Sequence, residues 1–227
     1  MSFYASMHNN IKVFLAGHSG FVGKHIYNAL SQNSKYTLAT QTRLQLDLLK
    51  QQEVYEYIAN IKPNIVICAA TKVGGIGSNI NNQAEFLYDN LQIQNNIIHG
   101  SFASGIKKLI FLGTSCIYPK HCTQPMKEGH IMQGDFEPTN YGYALAKITG
   151  TKMCEFYSKQ YGVNYFTICP SNLYGPHDNF NLETSHALSA ILYKIHNAKV
   201  DNLPFIELWG TALQKESGHL LKILLIQ

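Results

Sequence analysis

Tyr143 and Lys147 are the residues whose types and spacing best suit proton transfer. They stand four positions apart in the stretch YALAK, and on a helix this spacing puts both side chains on one face. A phenol is a weak acid at neutral pH, but a nearby ammonium stabilises the phenolate, and the hydroxyl of Thr114 can hold a substrate oxygen beside it. An amphipathic helix with a surface lysine and a packed tyrosine would show the same spacing, so the surrounding elements must distinguish a catalytic pair from a structural one.

A glycine-rich turn near the start of the chain suits a nucleotide. Gly17, Gly20 and Gly23 follow a short apolar run and open a helical pattern. In a strand–turn–helix unit the first glycine makes the tight turn, the second lets the backbone approach a pyrophosphate, and the third permits close helix–strand packing. Free N–H groups and the helix dipole favour the phosphates there. A glycine turn without a ligand is the alternative, and the strand–helix context favours a dinucleotide.

The residues after the second predicted strand bear on the choice of cofactor. Where a carboxylate would bind a free ribose 2′-hydroxyl, the chain has Thr40, Gln41, Thr42 and Arg43. A cation at this place suits a 2′-phosphate, so the sequence favours NADP(H) over NAD(H). A solvated surface arginine is the alternative.

The elements that must position these residues alternate between strand and helix. Apolar runs predict strands and periodic stretches predict helices, with strands at 11–16, 36–40, 64–70, 107–114 and 164–170, a helix that follows Gly23 and extends to about residue 32, and helices at 49–61, 83–104 and 141–161. Unbroken apolar strands separated by helices indicate a parallel sheet covered on both faces. The sequence therefore predicts an α/β, doubly wound, Rossmann-like fold over residues 11–170. From residue 171, turns rich in Asn, Pro and Gly and a helix at 184–199 predict a smaller second region.

Composition and charge exclude several classes of protein. The chain has 227 residues, of which 45% are hydrophobic and 14% charged, which is a globular composition. Its net charge of +4 is spread without a basic block, so no nucleic-acid partner is expected. Apolar runs too short for a bilayer and the lack of a signal-peptide core predict a cytoplasmic protein without membrane contact. Five cysteines without a C-x-x-C pair give no indication of a disulfide framework or a metal site.

Several segments in a fixed order carry a resemblance to a known family. They are AGHSGFVG at 16–23, AATKVGG at 69–75, FLGTSCIYPK at 111–120, EPTN at 137–140, YALAK at 143–147 and NLYGPHDNF at 172–180. With them the chain resembles the extended short-chain dehydrogenases/reductases and, more narrowly, the GDP-L-fucose synthase family, from about residue 12 to residue 211. The glycine turn is common to the whole superfamily, whereas the segments KVGGI, SCIYPK and NLYGPHDNF are specific to the smaller family. The resemblance implies 3,5-epimerisation of GDP-4-keto-6-deoxymannose followed by NADPH-dependent reduction of the 4-keto group.

The resemblance also implies catalytic roles. Tyr143 would donate a proton during reduction, Lys147 would tune it and bind the nicotinamide ribose, and Thr114 would orient the oxygen in place of the family's usual serine. The cysteine and histidine that the family uses for epimerisation fall on Cys116 and His186. A buried small apolar residue and an ordinary helix-start histidine are the alternatives for these two positions.

Binding residues and a partner are implied in the same way. Lys194 falls where the family has an arginine on the substrate diphosphate, and Trp209 falls on a nucleotide-sugar contact; because lysine lacks the bidentate fork, weaker or altered recognition of the GDP-linked sugar is expected. Family members pair through the helices at 83–104 and 141–161, which implies a homodimer. The implied cofactor contacts are Gly17, His18, Ser19, Gly20, Phe21, Val22, Gly23, Arg43, Asp47, Leu48, Leu112, Gly113, Ser115, Lys147, Pro170, Ser171, Asn172, Leu173 and His186.

The resemblance ends after Thr211. Family members continue with a glycine and an Arg-Glu-Phe run, whereas this chain reads ALQKESGHLLKILLIQ over 212–227. Such a loss of register is what a reading-frame shift produces, so residues 171–211 are expected to form a partial substrate-binding region and 212–227 an anomalous tail. An intact downstream frame in the gene would support this hypothesis. An amphipathic partner-binding helix is the alternative for the tail.

Three functions stay open at this point. The first is the bifunctional epimerase/reductase that acts on the GDP-linked 4-keto-6-deoxy hexose. The second is the same chemistry on another GDP-sugar, such as a heptose, or only one of the two steps. The third is a truncated protein that binds NADPH and turns nothing over, because its substrate region is incomplete.

Overall fold

The computed structural model describes residues 10–182, 184–208 and 218–220. No helix among these described residues is both long enough and apolar enough to cross a membrane. The helices are α1 (Phe21–Ser31), α2 (Gln51–Ile61), α3 (Ile76–Asn81), α4 (Gln83–Ala103), α5 (Tyr141–Tyr161) and α6 (Ala187–Val200). The strands are β1 (Ile11–Ala16), β2 (Tyr36–Ala39), β3 (Ile65–Cys68), β4 (Lys108–Leu112), β5 (Asn164–Ile168), β6 (Asn172–Tyr174) and β7 (Gly218–Leu220).

Five strands form one parallel sheet, which confirms the predicted α/β fold. Their order is β2-β1-β3-β4-β5, and every pairing is parallel. After β1 the chain adds a strand on one side, and after β2 it crosses to the other side of β1. The loops that follow β1 and β3 therefore diverge at the carboxyl edge of the sheet, which is where open α/β sheets bind ligands.

Helices pack against both faces of the sheet, although Phe166 and Ile168 of β5 are exposed. One face packs against α2, α4 and α5 in a cluster that includes Phe14, Val66, Leu109, Val54 and Ile97. The other face carries a smaller cluster of Val13, Leu15 and Ile67 against Leu30 of α1. Each such aliphatic side chain contributes about 1.5–3 kcal/mol when it is fully buried, so the sheet and these helices form the stable body of the molecule.

The sequence predicted most bounds within a few residues and missed short elements. The helix predicted at 141–161 is α5 with those bounds, whereas the one predicted at 184–199 begins three residues later, because His186 is the N-cap of α6. The six-residue helix α3 is too short to show an apolar period. The β6–β7 pair joins residues more than 40 positions apart, so local patterns could not predict it.

The second region, residues 171–208, is less well covered than the sheet. Only Ser189 and Ala198 of α6 are buried, whereas Leu192, Tyr193 and Ile195 are exposed. Ser189 donates a hydrogen bond to the Asp178 carboxylate, which ties α6 to the preceding loop. Trp209 lies outside the described residues, as does the predicted tail 212–227 apart from the backbone of β7.

Candidate active site

The glycine turn after β1 contains two glycines that the fold itself requires and one that it does not. Gly17 has φ +88°, and a Cβ there would lie 2.5 Å from the backbone nitrogen of Ala70. A Cβ at Gly23 would lie 1.9 Å from the carbonyl oxygen of Gly17. At Gly20 the nearest atom to an added Cβ is 3.5 Å away, which is ordinary contact. The backbone at Gly20 is therefore open on the side where a ligand can approach.

The start of α1 suits an anion. Gly20 is the N-cap and supplies no side-chain hydrogen bond, and the first turn contains no acidic residue. The first N–H groups of a helix lack intrahelical acceptors, and the helix dipole adds positive charge there. Nδ1 of His18 in the same turn is buried without a hydrogen-bond partner. The remaining residues of the predicted motif, Ser19, Phe21 and Val22, belong to this turn and the beginning of α1.

The loop after β2 places the residue predicted to select the cofactor at the surface. Arg43 is exposed and forms no ion pair with any described residue. Asp47 accepts a hydrogen bond from the N–H of Leu49 at 3.1 Å, and the Leu48 carbonyl accepts one from Asn96 of α4 at 2.9 Å. The loop is thus anchored near residues 47–48 while the guanidinium stays free.

The ends of β4 and β5 meet at the other predicted cofactor contacts. The N–H of Gly113 donates to the Ile168 carbonyl at 2.8 Å. A Cβ at Gly113 would lie 2.7 Å from Sγ of Cys169, so the two strand ends are in close contact. Around this contact lie Leu112 at the end of β4 and Ser115 after it, Pro170 and Ser171 between β5 and β6, and Asn172 and Leu173 at the start of β6.

Tyr143 lies in the first turn of α5 and is buried, with 8% of its surface exposed. The side chains of Thr71 and Thr114 lie close enough to its hydroxyl to lower its pKa, which opposes the larger effect of burial. Burial raises the pKa of Tyr143, and the neighbouring Cys116 thiol adds to this increase. The phenol therefore keeps its proton at neutral pH and is available as an acid.

Lys147 lies one turn further along α5 and is 3% exposed. Its Nζ donates to the Leu112 carbonyl at 2.8 Å and lies 4.7 Å from the centre of the Phe111 ring. Burial lowers the pKa of Lys147 to about 8. Nζ is 5.9 Å from the centre of the Tyr143 ring. The sequence predicted an ammonium that favours the phenolate, and the structure differs, because burial disfavours the charged form of both groups.

Thr114 and Cys116 lie in the turn that follows β4. Thr114 caps the one-turn helical segment Ser115–Ile117, and its Oγ1 accepts a hydrogen bond from the N–H of Cys116 at 3.3 Å. Asn140 Nδ2 donates to Sγ of Cys116 at 3.3 Å. Burial raises the pKa of Cys116, against the expectation that the local field lowers it. Cys116 is thus a protonated thiol at neutral pH, beside the hydroxyls of Thr114 and Tyr143.

Two residues of the hydrogen-bond network beside Tyr143 were not predicted from the sequence. Asn90, buried in α4, donates through Nδ2 to the carbonyls of Lys72 and Phe86, so its Oδ1 must be the acceptor for Thr71 Oγ1 at 2.8 Å. Thr71 thereby donates its only hydroxyl proton to Asn90. An asparagine between apolar positions of a long helix was the one available signal.

His186 and Lys194 lie in the second region rather than on the sheet. The Thr184 carbonyl accepts a hydrogen bond from the N–H of Gly75 at 2.8 Å, so His186 lies near the loop that follows β3. No hydrogen bond joins His186 to Cys116 in the described part of the chain. Lys194 is on α6 and donates to the Glu207 carbonyl at 2.7 Å. The structure therefore brings together Thr114, Cys116, Tyr143 and Lys147, whereas His186 and Lys194 belong to the second region.

Comparison with protein families and characterised proteins gives a consistent result. The profile of the NAD dependent epimerase/dehydratase family matches residues 13–216. A GDP-L-fucose synthase from Sinorhizobium fredii is 46% identical over 200 residues, which are 88% of this chain and 63% of that protein. The chain thus spans less than two thirds of the length of the curated relatives that it matches.

Solved structures share the same architecture. A GDP-D-glycero-L-gluco-heptose synthase from Campylobacter jejuni, solved in the presence of NADPH, is 40% identical with a TM-score of 0.80, over 85% of this chain and 56% of that one. A GDP-L-fucose synthetase from Naegleria fowleri bound to NADP is 25% identical with a TM-score of 0.81, over 93% of this chain and 69% of that one.

Proposed function

Since the chain belongs to the NAD dependent epimerase/dehydratase family, we propose that it is an NADP(H)-dependent oxidoreductase and epimerase of the GDP-L-fucose synthase type. Its reaction is the 3,5-epimerisation of GDP-4-keto-6-deoxymannose followed by reduction of the 4-keto group. The observation that carries the proposal is the group formed by the half-buried Thr114 and the buried Tyr143 and Lys147 at the carboxyl edge of the sheet, beside a glycine turn with open backbone. The 46% identity to a curated GDP-L-fucose synthase supports the substrate class.

The residues around the glycine turn fit NADP(H). The open backbone at Gly20, the uncapped start of α1 and the unpartnered Nδ1 of His18 suit a pyrophosphate. Arg43, free of any described ion pair, suits the ribose 2′-phosphate. Lys147 would bind the nicotinamide ribose, and the loops that end β4 and β5 would border the ring. When bound, NADPH supplies the hydride for the ketone.

The proton for the reduced ketone comes from Tyr143. Because burial keeps the phenol protonated, it enters the reaction in its acid form. Thr71 lies near the Tyr143 hydroxyl, and Thr114, whose Oγ1 accepts the N–H of Cys116, would donate its own proton to the substrate oxygen. Lys147 becomes a better partner for the phenolate once charge develops on the tyrosine, since its amine titrates near neutral pH.

Epimerisation is assigned to Cys116 and His186. The protonated, half-buried thiol of Cys116 is suited to deliver a proton to one face of the substrate carbon, and Asn140 fixes the direction of its sulfur. His186 would serve as the base from the second region. Lys194 and Trp209 would hold the diphosphate and the nucleotide sugar. Threonine at 114 and lysine at 194 are expected to shift the substrate fit or the rate.

The proposal extends to domain organisation, assembly and location. Residues 11–170 would bind the nucleotide, and residues 171–211 would contribute to substrate binding. The exposed apolar residues Tyr88 of α4 and Leu145 and Phe156 of α5 suit a homodimer formed through these two helices. The compartment that supplies the GDP-sugar and NADPH would be the cytoplasm.

The test is incubation of the purified chain with NADPH and GDP-4-keto-6-deoxymannose, with products identified by mass and stereochemistry. Tyr143→Phe should lower the rate of NADPH oxidation by about 10²–10⁴-fold, since it removes the general acid, while NADPH binding persists.

Cys116→Ser should abolish epimerisation and spare reduction; equal loss of both would show that Cys116 is structural. Binding of NADPH without turnover by the unmodified chain would favour an inert nucleotide-binding protein.

A related GDP-sugar is the second candidate substrate. Structures of C. jejuni enzymes named for GDP-heptoses are as similar to this chain as that of the GDP-L-fucose synthetase, with TM-scores of 0.79–0.80. Assaying a GDP-4-keto-heptose beside the deoxyhexose, and comparing kcat/KM, decides between the two substrates. Reduction without epimerisation would assign only the second step to this chain.

A further inference from the structure

A thiol and an imidazole lie together in the loop between β4 and α5, outside the site described above. Sγ of Cys122 lies 3.2 Å from Nδ1 of His130, and both residues are half-buried. The loop is closed by a hydrogen bond from the N–H of Lys120 to the Asp135 carbonyl at 2.8 Å, and by an ion pair between Lys120 and Glu137 at 3.0 Å. The two side chains are therefore held together on a loop with fixed ends.

The imidazole presents a proton acceptor to the thiol. The backbone N–H of Lys127 donates to Nδ1 of His130 at 3.3 Å. A ring nitrogen that accepts an N–H bond carries no proton in the neutral imidazole, so the proton of His130 is on Nε2. The other acceptor near the thiol, the Thr123 carbonyl, lies at 3.6 Å. The Nδ1 lone pair also faces the S–H of Cys122, and transfer of the thiol proton to it, which breaks the bond from Lys127, gives a thiolate beside an imidazolium.

The four other cysteines stand in a different environment. None of them has a histidine partner among the described contacts, and two are fully buried. Burial raises the pKa of all four thiols, which are Cys68, Cys116, Cys154 and Cys169. Since the thiolate is the reactive form, Cys122 is the cysteine with both access and a base.

We propose that Cys122 is a site of reversible modification by low-molecular-weight disulfides of the glutathione class, with His130 as its base. The Cys122 thiolate attacks one sulfur of the disulfide, and a new S–S bond forms as the old S–S bond breaks. The departing thiolate takes the proton held on Nδ1 of His130. Cys122 is oxidised to a mixed disulfide, and the departing half of the reagent is reduced to a thiol.

The modified side chain would adjoin the turn that carries Cys116. Ile131, next to His130 in the chain, packs against the cluster of Ile117 and Phe136, to which Cys116 also belongs. A tripeptide attached at Cys122 would therefore displace a loop that packs beneath this turn. The chemistry itself does not depend on the function proposed above.

The experiment treats the full chain with oxidised glutathione at neutral pH and follows each cysteine by peptide mass mapping. We expect Cys122 to be modified at least ~10-fold faster than any other cysteine, because it is accessible and His130 can accept its proton as the new S–S bond forms. Dithiothreitol should remove the added group. His130→Gln should slow modification by about 10-fold, whereas His121→Gln, a matched change at an exposed histidine next to Cys122, should leave the rate within about twofold.

Three results would overturn the proposal. They are faster modification at another cysteine, an unchanged rate in His130→Gln, or an equal loss of rate in His121→Gln. Circular dichroism and thermal unfolding of each variant check that the loop change leaves the fold intact. If His130→Gln unfolds, His130→Asn takes its place in the experiment. The order in which the five cysteines of the unmodified chain react then also tests the proposal.

Discussion

Residues 11–170 and residues 171–208 reach their structures by different means. In the first region, strand and helix side chains such as Phe14, Val66 and Ile97 are almost completely buried between the sheet and its helices. In the second region, α6 buries only small side chains and exposes Leu192 and Ile195. Packing therefore fixes the first region, whereas a few hydrogen bonds, such as Ser189 to Asp178, fix the second.

This difference in packing applies to the two steps of the proposed reaction, because their residues lie in different regions. Tyr143 and Lys147 are on a helix that packs against the sheet, so their geometry is set by the body of the molecule. His186 and Lys194 are on or beside α6, whose position rests on fewer buried contacts. Reduction should therefore be less sensitive than epimerisation to changes in the second region.

The largest expected effect compares one buried and one exposed aliphatic residue. Ile97→Ala should lower the free energy of unfolding by about 2–5 kcal/mol, because it opens a cavity in the core. Leu192→Ala, at a residue 43% exposed on α6, should change it by less than about 0.5 kcal/mol. Urea unfolding of both variants measures the difference, and a comparable loss at Leu192 would show that packing fixes both regions alike.

The second prediction uses the buried amine of the first region. The pKa of Lys147 falls from 10.5 to about 8 on folding, so unfolding takes up a proton between these pH values. Stability should therefore rise with pH across this window, by about 3 kcal/mol relative to Lys147→Met. Urea unfolding of both proteins from pH 7 to pH 10.5 gives the difference. Parallel pH curves for the two proteins would mean that Lys147 is solvated.

The third prediction concerns the hydrogen-bond network beside Tyr143. Asn90→Ala removes the acceptor for Thr71 and leaves the carbonyl and N–H of Lys72 without a side-chain partner. The expected cost is about 1–3 kcal/mol of stability, and the proton-transfer step should slow while NADPH affinity is kept. Asn95→Ala on the same helix is the matched control. Equal effects of the Asn90 and Asn95 substitutions would show that the loss comes from changing any asparagine of α4, and that the network around Asn90 has no specific role.

The fold was largely predictable from the sequence because its signals are local. Continuous apolar runs mark β1 and β3–β5, and α5 has the predicted bounds, ending at Gly162 with φ +67°. The pairing of β6 with β7 was not predictable, since it joins residues far apart in the chain. Its position depends on tertiary structure rather than on any local period.

The candidate site was predictable in its residue types and not in its chemistry. Thr114, Tyr143 and Lys147 lie together as expected, but the directions of their pKa shifts come from burial, which the spacing does not reveal. Thr71 meets Tyr143 only because the loop after β3 is held by Asn90. Such an arrangement becomes visible only when three separate elements are folded against one another.

The last of these effects on stability is small and falls at Gly20, where the requirements of the fold and of cofactor binding can be separated. An added Cβ there meets only an ordinary contact at 3.5 Å, and the φ of −75° suits any residue, so Gly20→Ala should change stability by less than about 1 kcal/mol. The methyl group would stand where the pyrophosphate approaches, so NADPH affinity should fall by at least ~10-fold. Fluorescence titration with NADPH measures the affinity, and urea unfolding measures the stability. Unchanged affinity would place the phosphates elsewhere, whereas a large loss of stability would mean that the fold itself requires all three glycines.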